Sequence, residues 1–260
     1  MRREELATLF NYVAEESARL ARLEMFATFF AALRGNDTRL TWENEINRYQ
    51  TELSILYSDW LDDLVIDIAT YPHVETEIIE SSLERLQDDM ILLGNQRIFE
   101  TYDLGFGAGA VAYTEPVLSD VSEIMMSNEM YVTTSLIPDL RTRIYDTLKD
   151  EQYVLIGIGY LIGRLKAMGA RVASYAGAAW NAVNRGAGYY ARANNAPVYW
   201  VRDGHADHCE TCLEFGNRVY TTYDALLAET GGVTPANGTV CRGNCRCTLL
   251  AHDGEDWTRP

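Results

Sequence analysis

The amino-acid sequence predicts a mainly α protein, with an elongated body of long helices and a small α+β module at its C-terminal end. Apolar residues recur at steps of three and four over most of residues 1–150, which is the period of helices that bury one face. All five cysteines fall within residues 198–250, where residues 198–201 indicate a strand, residues 215–220 a hairpin and residues 223–229 a short helix. We therefore divide the chain into an acidic helical body (1–150), a basic, Ala- and Gly-rich helical segment (151–196) and a cysteine-rich module (197–260).

Three long helices are predicted in the acidic body. The first covers residues 3–33 and the third runs from residue 74 to residue 104. Between them, a helix of about 28 residues, or roughly 42 Å, begins after Thr41 as its cap and stops before Pro72, which cannot continue it. Such regular apolar stripes indicate an antiparallel bundle or a coiled-coil contact with a second chain.

A glycine-rich run, residues 105–109, follows the third helix. A nucleotide-binding loop follows a strand and contains a lysine, whereas a helix precedes this run and no such lysine follows it. We therefore expect either a hinge or a close crossing of two helices through small residues. Residues 116–135 show no clear period, and a further helix is predicted from Pro138 to Lys149.

The net charge of −16 is confined to the acidic body. Residues 1–150 contain 12 Lys and Arg against 28 Asp and Glu, whereas residues 151–260 are neutral overall and have no acidic residue between Gln152 and Arg202. On a continuous helix, four arginines at multiples of seven would share one face. They are Arg164, Arg171, Arg185 and Arg192. This face could bind nucleic-acid phosphate or acidic groups of the chain itself or of a neighbouring subunit, and the acidic body favours the second alternative.

The cysteines have the spacing of metal ligands. A Cys209-x-x-Cys212 pair is followed by Cys241-x-x-x-Cys245-x-Cys247. Short paired spacings of this kind are typical of structural, tetrahedral zinc (Zn²⁺) sites. We expect Cys209, Cys212, Cys241 and one of the last two as ligands, with Cys245 favoured over Cys247.

Two histidines, His205 and His208, are spare ligands for the same metal. A disulfide cluster is the competing interpretation of the cysteines, but their odd number and the size of the chain count against it. A catalytic Cys–His pair is disfavoured because thiolates bound to a structural zinc are poor nucleophiles. We therefore predict a non-enzymatic protein without catalytic residues.

One enzymatic alternative stays open, a zinc-containing nuclease of the HNH kind. The Asp207-His208 pair directly before Cys209 is similar to the catalytic Asp-His of those enzymes. In that family, however, the histidine lies on a hairpin between the cysteine pairs, whereas His208 adjoins the first ligand.

The module resembles the C-terminal signature of the phage Mu F-like head-morphogenesis family, also called minor head or minor capsid proteins. The residues that carry the resemblance are Trp200, Asp207, Cys209, Cys212, Phe215, Tyr220, Asn244, Cys245, Arg246 and Cys247. Members often end in His-Pro-x-Cys-Arg-Cys, where this chain has residues 242–247, Arg-Gly-Asn-Cys-Arg-Cys. The histidine is missing, and Cys241 is its natural replacement. The resemblance covers about the last third of the chain.

What the resemblance implies is a structural protein of the virion that takes part in head morphogenesis. Its expected partners are the portal protein and the major capsid protein, with packaged DNA as a further candidate and several copies per virion. The expected location is the capsid interior or the portal vertex, after synthesis in the host cytoplasm. No membrane partner is expected, because the longest apolar run, residues 153–163, is shorter than the about 20 residues that span a bilayer.

Overall fold

The computed structural model describes residues 38–71, 76–106, 115–202, 208–240, 245 and 247–251. These residues form a mainly α protein with a small antiparallel sheet near the C-terminal end, as the sequence predicts. The described residues from 44 onward belong to one compact unit. The predicted helix over residues 3–33 lies outside the described residues, and the division of the chain at residues 150 and 196 stays a prediction.

Two long helices, α1 (Thr38–Thr70) and α2 (Thr76–Phe106), confirm the predicted second and third helices. Thr41 lies inside α1, so the prediction that it caps the helix is wrong. The indole Nε1–H of Trp60 in α1 donates to the backbone carbonyl of Ser82 in α2, over 2.9 Å. The buried stripe of α1 has the spacing that the sequence indicates. Its members include Ile46, Tyr49, Leu53, Tyr57, Trp60, Leu64 and Ile68.

Helix α8 (Gly177–Ala193) crosses α2 where both helices have a glycine. A Cβ atom at Gly105 would lie 2.0 Å from the carbonyl oxygen of Val183, and one at Gly186 would lie 2.2 Å from the carbonyl oxygen of Tyr102. No side chain fits in such gaps, so only glycine allows the two backbones to approach so closely. The crossing is one of the two roles predicted for the glycine-rich run, whose remaining glycines lie outside the described residues.

The chain is helical from residue 115 to residue 149. Helix α3 (Glu115–Tyr131) continues through a π-helical turn, residues 132–136, into α4 (Ile137–Lys149). In this turn the N–H of Ile137 bonds to the carbonyl of Val132, five residues back, just before Pro138, which has no N–H to donate. A wider turn leaves room for the proline ring. The predicted helix from Pro138 to Lys149 is confirmed.

The basic segment is not one helix, contrary to the sequence prediction. Its helices are α5 (Glu151–Ile156), α6 (Ile158–Lys166), α7 (Gly169–Ser174) and α8. Gly157 separates α5 from α6 with a φ of 78°, a conformation that side chains disfavour. Turns at residues 167–168 and 175–176 separate α6 from α7 and α7 from α8, so the four arginines do not share one helix face. Arg164 lies on α6 and Arg171 on α7, and only Arg185 and Arg192 lie on the same helix.

The apolar run over residues 153–163 is divided between α5 and α6 by this turn. Its central glycines, Gly159 and Gly163, have open space where a Cβ atom would stand. Within the described ranges, no helix combines the length and the apolar character that a bilayer crossing requires.

The C-terminal module contains three strands and two short helices. They are β1 (Val198–Val201), α9 (Glu210–Phe215), β2 (Arg218–Tyr220), α10 (Tyr223–Thr230) and β3 (Thr248–Ala251). The strand order is β2-β1-β3, and β1 is antiparallel to both neighbours. The predicted strand at residues 198–201 and the predicted helix from residue 223 are confirmed. Phe215, predicted to open a hairpin, instead ends α9.

Replacement of Gly186 by alanine is expected to lower the free energy of unfolding by about 2–3 kcal/mol, because the added Cβ atom would force α2 and α8 apart. Gly163→Ala is the matched control, since it adds the same atom to a helix where nothing lies within 4 Å. Alanine there is expected to stabilise the protein by up to about 1 kcal/mol. Urea unfolding followed by circular dichroism measures both changes, and equal effects would contradict the close crossing.

Candidate metal centre

Three buried cysteines meet in the C-terminal module. Cys212 belongs to α9, and Cys245 and Cys247 lie in the segment that leads into β3. Their Sγ atoms all lie within 4.8 Å of one another, and each residue is at most 2% exposed. None of the four described cysteines forms a disulfide with another of them. The three thiols are therefore close enough to hold a metal ion.

The distance between two of these sulfur atoms fits a tetrahedral metal. Two thiolates at about 2.3 Å from one tetrahedral zinc ion are about 3.8 Å apart, whereas a disulfide joins its sulfur atoms at about 2.05 Å. The Sγ atoms of Cys212 and Cys245 lie 3.7 Å apart. This separation favours metal ligation over a covalent bond between these two residues.

The surroundings of Cys212 oppose its ionisation in the absence of a cation. Hydrogen bonds with Cys245 and Cys247, followed by burial and by repulsion from neighbouring thiolates, raise the pKa of the Cys212 thiol far above its usual value. A bound cation reverses this effect, because it replaces the thiol protons and neutralises the sulfur charges. Three buried thiols facing one another therefore have a chemistry that suits a metal ion.

The local structure explains why both late cysteines reach the site. In an extended segment, residues two apart project from the same side, so Cys245 and Cys247 can both face Cys212. The sequence prediction favours Cys245 alone of this pair. The structure brings both of them to Cys212.

The other predicted ligands have different positions. Cys209 is half-buried at the N-terminal cap of α9 and lies outside the group of three. The Nδ1 atom of His208 lies 3.8 Å from the Sγ atom of Cys247. Cys241 and His205 lie outside the described residues. Among the described residues, Cys209 and His208 are therefore the candidates for the fourth coordination position.

Asn184 of α8 fixes β3 together with Cys247, the residue directly before this strand. Its Oδ1 atom accepts from the N–H of Leu249 over 2.6 Å, and its Nδ2 atom donates to the carbonyl of Cys247 over 3.3 Å. The asparagine is fully buried, so neither bond competes with water. Sequence reasoning missed this residue. The sequence contained one signal, because Asn184 is the one polar residue on an otherwise apolar face of α8, and such a residue is typical of a buried hydrogen bond.

Three of the four predicted arginines form ion pairs within the chain. Arg171 pairs with Asp139, Arg185 pairs with Asp120 and Glu123, and Arg192 pairs with Asp224. Pairing with the chain's own acidic residues was one of the two predicted alternatives. Arg164 is exposed, and no ion pair of its side chain is found among the described residues.

The pair of Arg185 and Asp120 is the most buried of these. The Asp120 side chain is 4% exposed and the Arg185 side chain 13%. Burial raises the pKa of Asp120, although its hydrogen bond and charge contact with Arg185 act in the opposite direction. Burial lowers the pKa of Arg185, but its hydrogen bonds and charge contacts with Asp120 and Glu123 together outweigh this effect, and the net shift is upward. Each charge therefore depends on the other to remain ionised inside the protein.

Comparison of the chain with protein-family models, curated proteins and solved structures gives no match. The resemblance of the cysteine-rich module to a phage head family stays a prediction. What the site does is therefore inferred from its own residues.

Replacing Asn184 by leucine is expected to lower the free energy of unfolding by about 2–3 kcal/mol, because buried backbone groups of Cys247 and Leu249 lose their partners. Zinc affinity is expected to fall about tenfold or more, as for other residues that orient a ligand without touching the metal. Asn181→Leu on the same helix is the control, since the Asn181 Oδ1 atom has no described partner. Chelator competition and urea unfolding measure the two effects, and unchanged zinc affinity in N184L would contradict the positioning role.

Replacing Arg185 by methionine is expected to destabilise the protein by about 3–5 kcal/mol at neutral pH, because it leaves the Asp120 carboxylate buried without its cation. Arg192→Met, which breaks the exposed pair with Asp224, is expected to cost about 1 kcal/mol or less.

The penalty in R185M depends on pH in a direction that the pKa of Asp120 sets. Since that pKa is raised above the ordinary 3.8, protonation favours the folded state. The stability that protonation of Asp120 contributes is fully present below pH 3.8 and is lost as pH rises through the folded-state pKa of Asp120. The destabilisation caused by R185M is therefore expected to be small at pH 3 and to grow toward pH 7. Thermal unfolding of both variants between pH 3 and 7 measures this, and a penalty independent of pH would contradict the assignment.

Proposed function

We propose that the C-terminal module holds a structural zinc ion, with Cys212, Cys245 and Cys247 as three of its ligands. The observation that carries this proposal is the meeting of three buried thiols, two of them at the sulfur separation of a tetrahedral site. Three sulfur donors suit zinc better than hard cations such as Mg²⁺ or Ca²⁺, which prefer oxygen.

The fourth ligand would complete a closed site. Among the described residues Cys209 and His208 are the candidates, and the sequence adds Cys241 and His205. A fourth protein ligand leaves no open position for substrate or water, which is the pattern of structural zinc sites. A role in holding the fold therefore suits this donor set better than catalysis.

The module has a physical need for such a metal. Its sheet contains strands of only four, three and four residues, and a core of that size contributes little stability alone. Zinc binding to a small cysteine module contributes on the order of 10 kcal/mol of folding free energy. The metal would join α9 to the segment before β3, two parts of the module that are far apart in the sequence.

The wider role that we propose is that of a phage minor head protein, a non-enzymatic component of the virion that contacts portal and capsid subunits. This proposal is supported by the resemblance of the cysteine-rich module to the Mu F-like family and by the surplus of acidic residues in the helical body. Such a surplus favours basic protein surfaces as partners and opposes duplex DNA. Location in the capsid interior or at the portal vertex is part of the same proposal.

The zinc proposal predicts one zinc ion per purified chain, measured by elemental analysis, and its loss in the Cys212→Ser variant. Leu213→Ser is the matched control, because Leu213 is the next residue and is 56% exposed. Removal of zinc by a chelator is expected to lower the temperature at which the protein unfolds. Zinc-free protein of unchanged stability would contradict the structural role, and a disulfide among these cysteines would contradict the site.

The nuclease alternative makes a different prediction for the same protein. Cleavage of DNA in the presence of added magnesium, abolished by His208→Ala, would replace the structural role by an enzymatic one. Absence of cleavage by zinc-loaded protein, together with zinc retention in H208A, would support the structural role and exclude His208 as the fourth ligand.

A further inference from the structure

Helix α5 exposes three consecutive aliphatic side chains. Val154 is 80% exposed, Leu155 is 78% exposed and Ile156 is 59% exposed, and the turn at Gly157 follows directly. We call these three residues the apolar corner. A continuous aliphatic run that projects into water is typical of a contact surface, whereas single exposed apolar residues are ordinary.

Helix α6, which packs against α5, adds positive charge near the apolar corner. Arg164 and Lys166 lie in its last turn, and both are exposed. Neither has an ion pair with a described residue, whereas the three arginines that follow them on α7 and α8 are paired. These two cations are therefore available to an acidic partner.

The same protein has an acidic groove between α1 and α2, with a volume of about 440 Å³. The groove combines an apolar lining with carboxylates, and its residues are Glu52, Ile55, Leu56, Asp59, Trp60, Asp63, Arg85, Asp89 and Leu93. Ile55 is 55% exposed, so the apolar lining is accessible. Arg85 pairs with Asp63, but Asp59 and Asp89 form no ion pair with any described side chain. The groove therefore has carboxylates to offer a basic partner.

The apolar corner and the acidic groove face away from each other. Helix α6 packs on α1 through Tyr57, whose hydroxyl donates to the carbonyl of Leu165 over 2.8 Å. Ile55 and Asp59 lie two residues before and after Tyr57, about 200° around the helix and thus on the opposite side. Ile55 and Asp59 of the groove therefore point away from the helix that follows the apolar corner, which favours a contact between two chains.

We propose that the apolar corner of one copy docks in the acidic groove of a second copy. Val154, Leu155 and Ile156 would meet the lining at Ile55, Leu56 and Leu93, and Arg164 and Lys166 would meet the carboxylates of Asp59 and Asp89. The complementarity in charge and in apolar surface favours a second copy as the occupant, because the helices α5 and α6 offer exposed aliphatic side chains and two cations, the groove offers an apolar lining and two carboxylates, and both surfaces belong to the same chain. The proposal does not depend on zinc.

Because the two surfaces differ, the contact is heterologous, and each copy can bind one neighbour on each side. Copies would therefore join head to tail, into a ring where the rotation closes and into an open chain where it does not. A symmetric pair of apolar corners would instead stop at a dimer.

The decisive experiment mixes two variants that each lack one surface. Leu155→Asp removes the apolar corner, and the double variant Asp59→Lys, Asp89→Lys reverses the groove charge. The full-length, zinc-loaded wild-type protein is expected to form species larger than dimers, measured by sedimentation velocity. Salt is expected to weaken this association, because it screens the charge contacts. Each variant alone is expected to be monomeric, with association weakened about thirtyfold or more. Their equimolar mixture is expected to form a dimer and nothing larger, because one intact pair of surfaces remains.

Two controls separate this contact from general effects of charge. Glu84→Lys changes an exposed carboxylate of α2 outside the groove, and Met126→Asp adds a charge at an apolar side chain that is 66% exposed. Both controls are expected to associate as the wild type does. Circular dichroism of every variant verifies that it folds.

Three results would overturn the proposal. The first is wild-type protein that stays monomeric at all concentrations, and the second is a variant mixture that stays monomeric. The third is a wild-type monomer that binds phosphatidylcholine vesicles through Leu155, which would make a lipid surface the occupant of the apolar corner. Zinc content is measured separately, so failure of this proposal and failure of the zinc site are distinguishable.

Discussion

The close contact between the backbones of α2 and α8 is the constraint on which the arrangement of the described residues depends. At Gly105 and Gly186 the helices touch without an intervening side chain, which fixes both their separation and the rotation of α8 about its own axis. Successive residues of a helix point about 100° apart, so this rotation also directs the neighbours of Gly186. Arg185 reaches Asp120 of α3, and Asn184 reaches β3 and the preceding Cys247. Three consecutive residues thus connect α8 to three different elements.

Long, periodic helices and the cysteine spacing could be predicted from sequence because each is a local pattern with a local physical cause. Helices α1 and α2 bury the stripe that their apolar residues define, and β1 and α10 have their predicted starts. The thiol group also forms from residues named in advance, although spacing alone did not show that both Cys245 and Cys247 join Cys212.

The basic segment shows why the rest could not be predicted. The heptad spacing of its arginines has meaning only if the helix is continuous, and turns at residues 167–168 and 175–176 divide it among α6, α7 and α8. Asn184 was missed for a related reason, because a buried polar residue is recognised by its partner, and that partner lies 65 residues later in the chain. In both cases the outcome depends on tertiary contacts that no periodic pattern encodes.

The contacts of α8 also determine how metal loss would spread. Asn184 holds β3 and the preceding Cys247 to α8, and α10 is held to α8 by the buried ring of Tyr223 against Gly188 and by the exposed pair of Arg192 and Asp224. The crossing of α2 and α8 uses none of these contacts. If the cation were lost, the thiols would take up protons and the link between α9 and the segment before β3 would be gone, so β3 and α9 would loosen first. The helical body would keep its core, because its stability rests on apolar packing and on the buried pair of Arg185 and Asp120, which lie outside the module.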